Sequence, residues 1–188
     1  MKRLFIAIKI IPDENMLKQY YSLREALSDN KIVWVEPDKF HLTLKFLGDT
    51  SQDSINIVNN IIIDTLESKR SFDIEFKNTG IFGSKYDPRV IWFGISENHE
   101  FLKLGNDLLN NLHDGGFKRD RQNFVPHLTI GRIKRIEDKM FFNRMISNFR
   151  NVYLQRFTIN KVILYESILR KEGPVYKVVS SYELIDKQ

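Results

Sequence analysis

Apolar residues recur along this chain at two different periods. Period-two alternation or short apolar runs predict strands at residues 4–10, 32–36, 41–47, 72–82, 90–95, 127–133, 157–167 and 175–184. Helical spacing takes over between them. Met16, Tyr20, Leu23 and Leu27 share one helix face, as do Ile55, Val58 and Ile62, and Phe101, Leu104, Leu108 and Leu112, with a weaker amphipathic stretch over 138–149. Gly48-Asp49, Asp87-Pro88, Gly115-Gly116 and Gly173-Pro174 read as turns. No Pro/Gly/Ser linker divides the chain, yet both halves hold strands and helices. The pattern therefore predicts one α+β domain over residues 1–188, built as two pseudo-symmetric lobes with mainly antiparallel sheets, helices outside and a central groove suited to a ligand.

Composition narrows the class. With 188 residues, 42% hydrophobic and 28% charged, 9 Gly and 5 Pro, the chain can bury its own core and is neither disordered nor fibrous. Zero cysteines exclude disulfides, thiolate metal sites and a cysteine nucleophile. A net charge of +5 would draw in an anionic ligand without naming one. The apolar run 4–11 contains Lys9 and leads into Pro12-Asp13-Glu14 without a small-residue cleavage site, so it reads as a first strand rather than a signal peptide. No segment approaches the roughly 20 apolar residues of a membrane span, and a cytoplasmic location is expected.

Chemistry enters through a repeated tetrapeptide. His41-Leu42-Thr43-Leu44 returns 86 positions later as His127-Leu128-Thr129-Ile130, each copy on an apolar alternating run. On a strand, His and Thr two apart share one face while the apolar pair takes the other. Side by side, two such strands converge two imidazoles and two hydroxyls. Histidine is the side chain that can serve as base in one copy and acid in the other near neutral pH. A phosphodiester needs that pair, one to take a proton from water and one to give a proton to the departing oxygen, with the threonine hydroxyls on the non-bridging oxygens. Lys45, Arg132, Lys134 and Arg135 are candidate cations for the transition-state charge. Core packing accounts for the leucines and Ile130 but not for the repeated His and Thr; His99 and His113 lie in helical stretches without matching neighbours. A zinc site lacks an HExxH helix, and Walker, GxGxxG and GxSxG patterns are absent. No metal and no cofactor are expected.

These residues resemble the two-histidine (2H) phosphoesterases, defined by paired HxTx motifs, and within them the RNA 2',3'-cyclic phosphodiesterase branch long labelled 2'-5' RNA ligase. The likeness extends through Arg3-Leu4-Phe5-Ile6-Ala7, Trp34-Val35, Phe40 leading into the first motif, residues 80–83 and 88–94, Val125-Pro126, and the late Ser167 with Gly173-Pro174 and Tyr176. The resemblance implies a bilobal α+β fold with the motif strands facing across a groove, and metal-free hydrolysis of a 2',3'-cyclic phosphate to a 2'-phosphomonoester. It implies His41 as proton donor to the departing 3'-oxygen, His127 as proton acceptor from water, and Thr43 and Thr129 on the phosphate. The sequence alone is symmetric between the two histidines. Arg132, five residues after His127, matches a family arginine near the phosphate. Plain alternation puts it on the wrong face unless Gly131 permits a bulge. Lys45, by alternation, shares the His41 face.

The expected partners are RNA ends or nucleotides bearing a 2',3'-cyclic phosphate, met by a monomer. Trp34 and Trp92 are either base-stacking platforms or core residues, with core favoured by their apolar settings. Lys118, Arg119 and Arg121, with Arg132, Lys134 and Arg135, are candidates for an RNA path. Rival readings are the same chemistry on a small cyclic nucleotide or a 2'-5' oligonucleotide, RNA ligation as the reverse reaction, and a non-catalytic RNA or nucleotide binding module.

Overall fold

The computed structural model describes residues 1–84, 86–119, 124–171 and 173–187. In chain order the elements are β1 (Lys2–Lys9), α1 (Glu14–Ala26), β2 (Lys31–Trp34), β3 (His41–Thr50), α2 (Gln52–Leu66), β4 (Phe72–Gly83), β5 (Pro88–Ile95), α3 (His99–Asp114), β6 (His127–Arg135), α4 (Lys139–Asn148), β7 (Tyr153–Ile159), β8 (Lys161–Arg170) and β9 (Gly173–Glu183). Each helix begins on a side chain that accepts a first-turn N–H: Asp13 from Met16, Ser51 from Ser54, Asn98 from Phe101, and Asp138 from Met140 and Phe141. Such caps satisfy donors the helix cannot satisfy itself, each worth about 1 kcal/mol. The predicted helical faces are the buried ones, including Met16, Tyr20 and Leu23 on α1 and Phe101, Leu104, Leu108 and Leu112 on α3.

The strands form one nine-stranded sheet in the order β7-β4-β5-β6-β3-β1-β8-β9, with β2 also on β6. Every pairing of the named strands is antiparallel. The two expected lobe sheets are thus continuous, meeting where β3 and β6 pair at Leu42 and Leu128. β1 runs along the other edge of β3 from His41 to Thr50, while beyond the leucine pair β2 takes over the edge of β6 from Gly131 to Arg135. β3 and β6 are thus paired at that one position only. Helices cover one face, and the core holds Leu4, Ile6, Ile8, Leu42, Leu44, Leu128 and Ile130 together with the helical residues. On the opposite face lies a small separate cluster of Phe5, Ala7, Ile163 and Tyr165.

The lobes are not the two halves of the chain. One takes β1 and β3 from the first half and β8 and β9 from the second; the other takes β2, β4 and β5 with β6 and β7. Residues 157–167, predicted as one strand, are the end of β7 and the start of β8, separated at Asn160 and lying in different lobes. Apolar alternation runs up to this break from both sides with no Gly or Pro to mark it, so periodicity alone could not find the crossing. The Gly48-Asp49 turn signal is also corrected, because β3 continues through Gly48, at φ 75°, to Thr50.

Candidate active site

The Leu42–Leu128 pair sets the geometry of both motifs. Both leucines are fully buried, so the flanking residues of each strand face the groove. In antiparallel register, that pair sets His41 level with Thr129 and Thr43 level with His127. The histidines occupy one diagonal and the threonines the other. Diagonal neighbours across such a pair lie on the order of 7–8 Å apart, room for a phosphate between them.

Each motif strand then carries the same irregularity. In β3, Ala7 pairs with Thr43 and Ile6 with Lys45, leaving Leu44 as an extra residue; in β6, Trp92 pairs with Thr129 and Ile91 with Gly131, leaving Ile130 extra. Each bulge puts two consecutive residues on the core side and reverses the alternation beyond it. Arg132, opposite Val90, therefore joins His127 and Thr129, opposite Gly94 and Trp92, on the groove face. The same shift corrects the placement of Lys45. Lys45 turns away from His41, is buried, and donates from Nζ to the Lys118 carbonyl at 2.8 Å. Phe46 takes the groove position instead and is 62% exposed. Gly131 is not the bulge residue. Its bareness admits β2, since a Cβ there would come within 3.0 Å of Ile32 and 3.3 Å of the Trp34 ring.

The imidazoles are held alike. His41 Nδ1 bonds to the Lys39 carbonyl and His127 Nδ1 to the Val125 carbonyl, each at 2.8 Å and each two residues back. A carbonyl only accepts, so Nδ1 carries the proton and donates, and Nε2 is left for the groove. Their surroundings differ. Phe5 and Tyr176 pack on His41, both with ring centroids 5.2 Å away, while Phe82 meets His127 edge-on at 4.6 Å. Burial holds the His41 imidazole below the ordinary histidine value; its Lys39 hydrogen bond opposes this, and the charges of Lys9, Arg132 and His127 add to the lowering. Burial raises the Tyr176 phenol while Arg132 pulls it back. The Arg132 charge is thus felt across the groove, on the lobe that carries His41.

The remaining candidates separate. Lys134 and Arg135 line a neighbouring cavity with Arg132, and Arg135 pairs with Glu137. Lys118 and Arg119 are exposed on the loop after α3, and Arg121 lies outside the described residues. Trp34 is half-buried, edge-on to Tyr20 at 5.7 Å. Trp92, also half-buried, lies across Gly80, where a Cβ would come within 2.3 Å of the indole. Trp34 packs against the core, whereas Trp92 sits on the groove face opposite Thr129 and packs on Phe82 at 5.4 Å. Sequence reasoning missed Phe5, Phe46, Phe82 and Lys9 as neighbours of the site. The +5 offset from each histidine, which picks out Arg132, would have found Phe46. Among the described residues no three His, Asp or Glu side chains come together to hold a metal, and no helix is long and apolar enough to cross a membrane.

Residues 14–169 match the family model described as the 2'-5' RNA ligase superfamily. A protein of Methanocaldococcus jannaschii named RNA 2',3'-cyclic phosphodiesterase is 34% identical, over 96% of this chain and 99% of its own length. Among solved structures, TT0787 of Thermus thermophilus superposes with a TM-score of 0.77 at 22% identity, covering 99% of this chain and 100% of that one. E. coli LigT complexed with 3'-AMP superposes with a TM-score of 0.74 at 19% identity, covering 97% and 98%.

Proposed function

This chain belongs to the 2'-5' RNA ligase superfamily, and from that membership we propose that it hydrolyses the 2',3'-cyclic phosphate at RNA ends to a 2'-phosphomonoester, without a metal, through His41 and His127. The observation that carries the reading is the diagonal of two imidazoles, each locked by Nδ1 on a backbone carbonyl and each with Nε2 free for the groove.

Phosphorus sits at the centre of the four groups. From one end of the histidine diagonal His127 Nε2 takes a proton as water attacks phosphorus; from the other His41 gives its proton to the 3'-oxygen as the P–O3' bond breaks. Entry and departure on opposite sides suit an in-line displacement. Thr43 and Thr129, on the other diagonal, donate to the non-bridging oxygens, and the Arg132 guanidinium offsets their growing negative charge. The turnover leaves His41 neutral and His127 protonated, and exchange with solvent resets them.

The direction of this assignment comes from the family resemblance; the electrostatics add a condition. Burial and the nearby cations keep free His41 mostly unprotonated at neutral pH. An anionic phosphate arriving beside it raises its proton affinity, so substrate binding itself arms the acid. Phe46 offers an exposed aromatic face to the terminal base. Both motifs come from one chain, so the site is complete in a monomer, and the enzyme works on RNA in the cytoplasm.

The test is incubation of a short RNA ending in a 2',3'-cyclic phosphate with the protein in EDTA, with products resolved by phosphorus NMR. A 2'-phosphate that disappears with His41→Ala is the expected result. A 3'-phosphate, or activity lost in EDTA and restored by zinc, would overturn the mechanism.

A further inference from the structure

β6 does not end at the groove. Beyond Arg132 its last residues, with the segment entering β5 and the start of α4, line a cavity of about 520 Å³. Five cations face it, Arg89, Arg132, Lys134, Arg135 and Lys139, against one carboxylate on the lining, Asp87. Arg89 is paired with Asp87 at 2.9 Å and Arg135 with Glu137. Lys134 and Lys139 are exposed, and among the described residues neither has a carboxylate within ion-pair reach. Tyr86, 69% exposed, adds an aromatic surface. Cations that follow a backbone, beside an aromatic on which a base can stack, are what single-stranded nucleic acid requires.

We infer that this cavity carries the RNA nucleotides immediately 5' of the cyclic phosphate. The inference rests on the cyclic phosphodiesterase reading and adds the direction in which the strand leaves the site. Arg132 belongs to both places: its charge reaches His41, and it lines the cavity. The two-residue step from Arg132 to Lys134 covers about 7 Å of strand, comparable to one nucleotide step of an extended chain. The cavity that His41 itself lines, about 360 Å³, offers less. It sets Lys9 and Lys39 against Asp38, and its walls are Tyr165, Tyr176 and Val175. Lys118 and Arg119 line neither cavity.

The experiment compares wild type with the double charge reversal Lys134→Glu/Lys139→Glu on two substrates, a short RNA oligonucleotide with a 2',3'-cyclic phosphate end and a mononucleoside 2',3'-cyclic phosphate. For the oligonucleotide, kcat/KM should fall about tenfold or more at low salt, through KM with kcat held, and the log–log salt slope should flatten by roughly one to two. Mononucleoside turnover should be unchanged, which also shows that the variant is folded. Equal loss on both substrates, or on neither, would overturn the inference. So would a Lys118→Glu/Arg119→Glu protein that shows the oligonucleotide-specific loss in its place. If wild type turns over neither substrate, the enzymatic reading fails, and fluorescence anisotropy with a labelled oligonucleotide ending in 2'-phosphate still decides. Weaker binding by the Lys134/Lys139 variant would support the track, and equal binding would refute it.

Discussion

β3 and β6 are two versions of one device. Each presents a histidine bonded through Nδ1 to the carbonyl two residues back, a threonine on the same face, and a bulge just after it. They part company beyond the bulge. In β3 the next side chain is Lys45, buried against the Lys118 carbonyl, and then exposed Phe46; in β6 the next is Gly131, covered by Trp34, and then Arg132. The histidines differ as well, His41 boxed by Phe5 and Tyr176 and His127 met by Phe82. A symmetric backbone thus carries asymmetric electrostatics, as a reaction that needs one acid and one base requires.

The largest effects belong to the elements that β3 and β6 share. His41→Ala and His127→Ala should each lower the hydrolysis rate by about 10²–10⁴-fold, and the double variant should lose little more than either single one because the pair acts as a unit. Quenched-flow or chromatographic rates check this; simple multiplication of the two losses would break the pairing.

Next come the positions where the copies diverge. Arg132→Ala should cost about 10²–10³-fold in kcat/KM, and Phe46→Ala about tenfold, mostly in KM, if its role is to cover the base. Steady-state kinetics separate the two, and a kcat loss in Phe46→Ala as large as that in Arg132→Ala would erase the distinction drawn between the lobes.

Lys45→Met should leave the groove chemistry in place but lower stability by about 1–3 kcal/mol, since a charged hydrogen bond to the Lys118 carbonyl is lost. Urea unfolding measures it. A variant as stable as wild type but inactive would mean that Lys45 serves the substrate after all.

The smallest effect lies in pH. Because His41 binds its proton more weakly in the folded protein than in the unfolded chain, its contribution to stability is present above the ordinary histidine value of about 6.5. It is lost as pH falls through the folded value. His41→Gln should therefore blunt part of the acid destabilisation seen in thermal melts. Tyr176→Ala, which opens the imidazole to water, should move the His41 titration followed by NMR upward toward the ordinary value. In the wild type the limb of kcat governed by His41 should lie at higher pH than that of kcat/KM, because bound phosphate favours the charged imidazole. Coincident limbs would show that substrate does not arm the acid.

Much of this was legible from residues alone. The paired tetrapeptides identified the face of His41, Thr43, His127 and Thr129, because that face depends only on strand period, and the helical faces followed from apolar spacing. Arg132 and Lys45 show where period stops sufficing. Their orientations depend on bulges at Leu44 and Ile130, residues whose identity is ordinary for a strand. The walls around His41 were hidden for another reason: Leu4 to Ile8 is apolar without a break, so nothing marks Phe5 and Ala7 as belonging to a different face from Leu4 and Ile6. Asn160 concealed the crossing between lobes.

That crossing bears on how the protein is made. β1 pairs with both β3 and β8, so a strand that starts at Lys2 waits for one that begins at Lys161. Contacts this distant in sequence close slowly and leave a strand edge open meanwhile. On the ribosome the first histidine motif would emerge ahead of the second and stand half-walled until the hairpin of β8 and β9 brought Tyr176 against it. The groove is thereby completed only when β8 and β9 are in place, and a chain truncated before that hairpin would carry both histidines without the surroundings that set them apart.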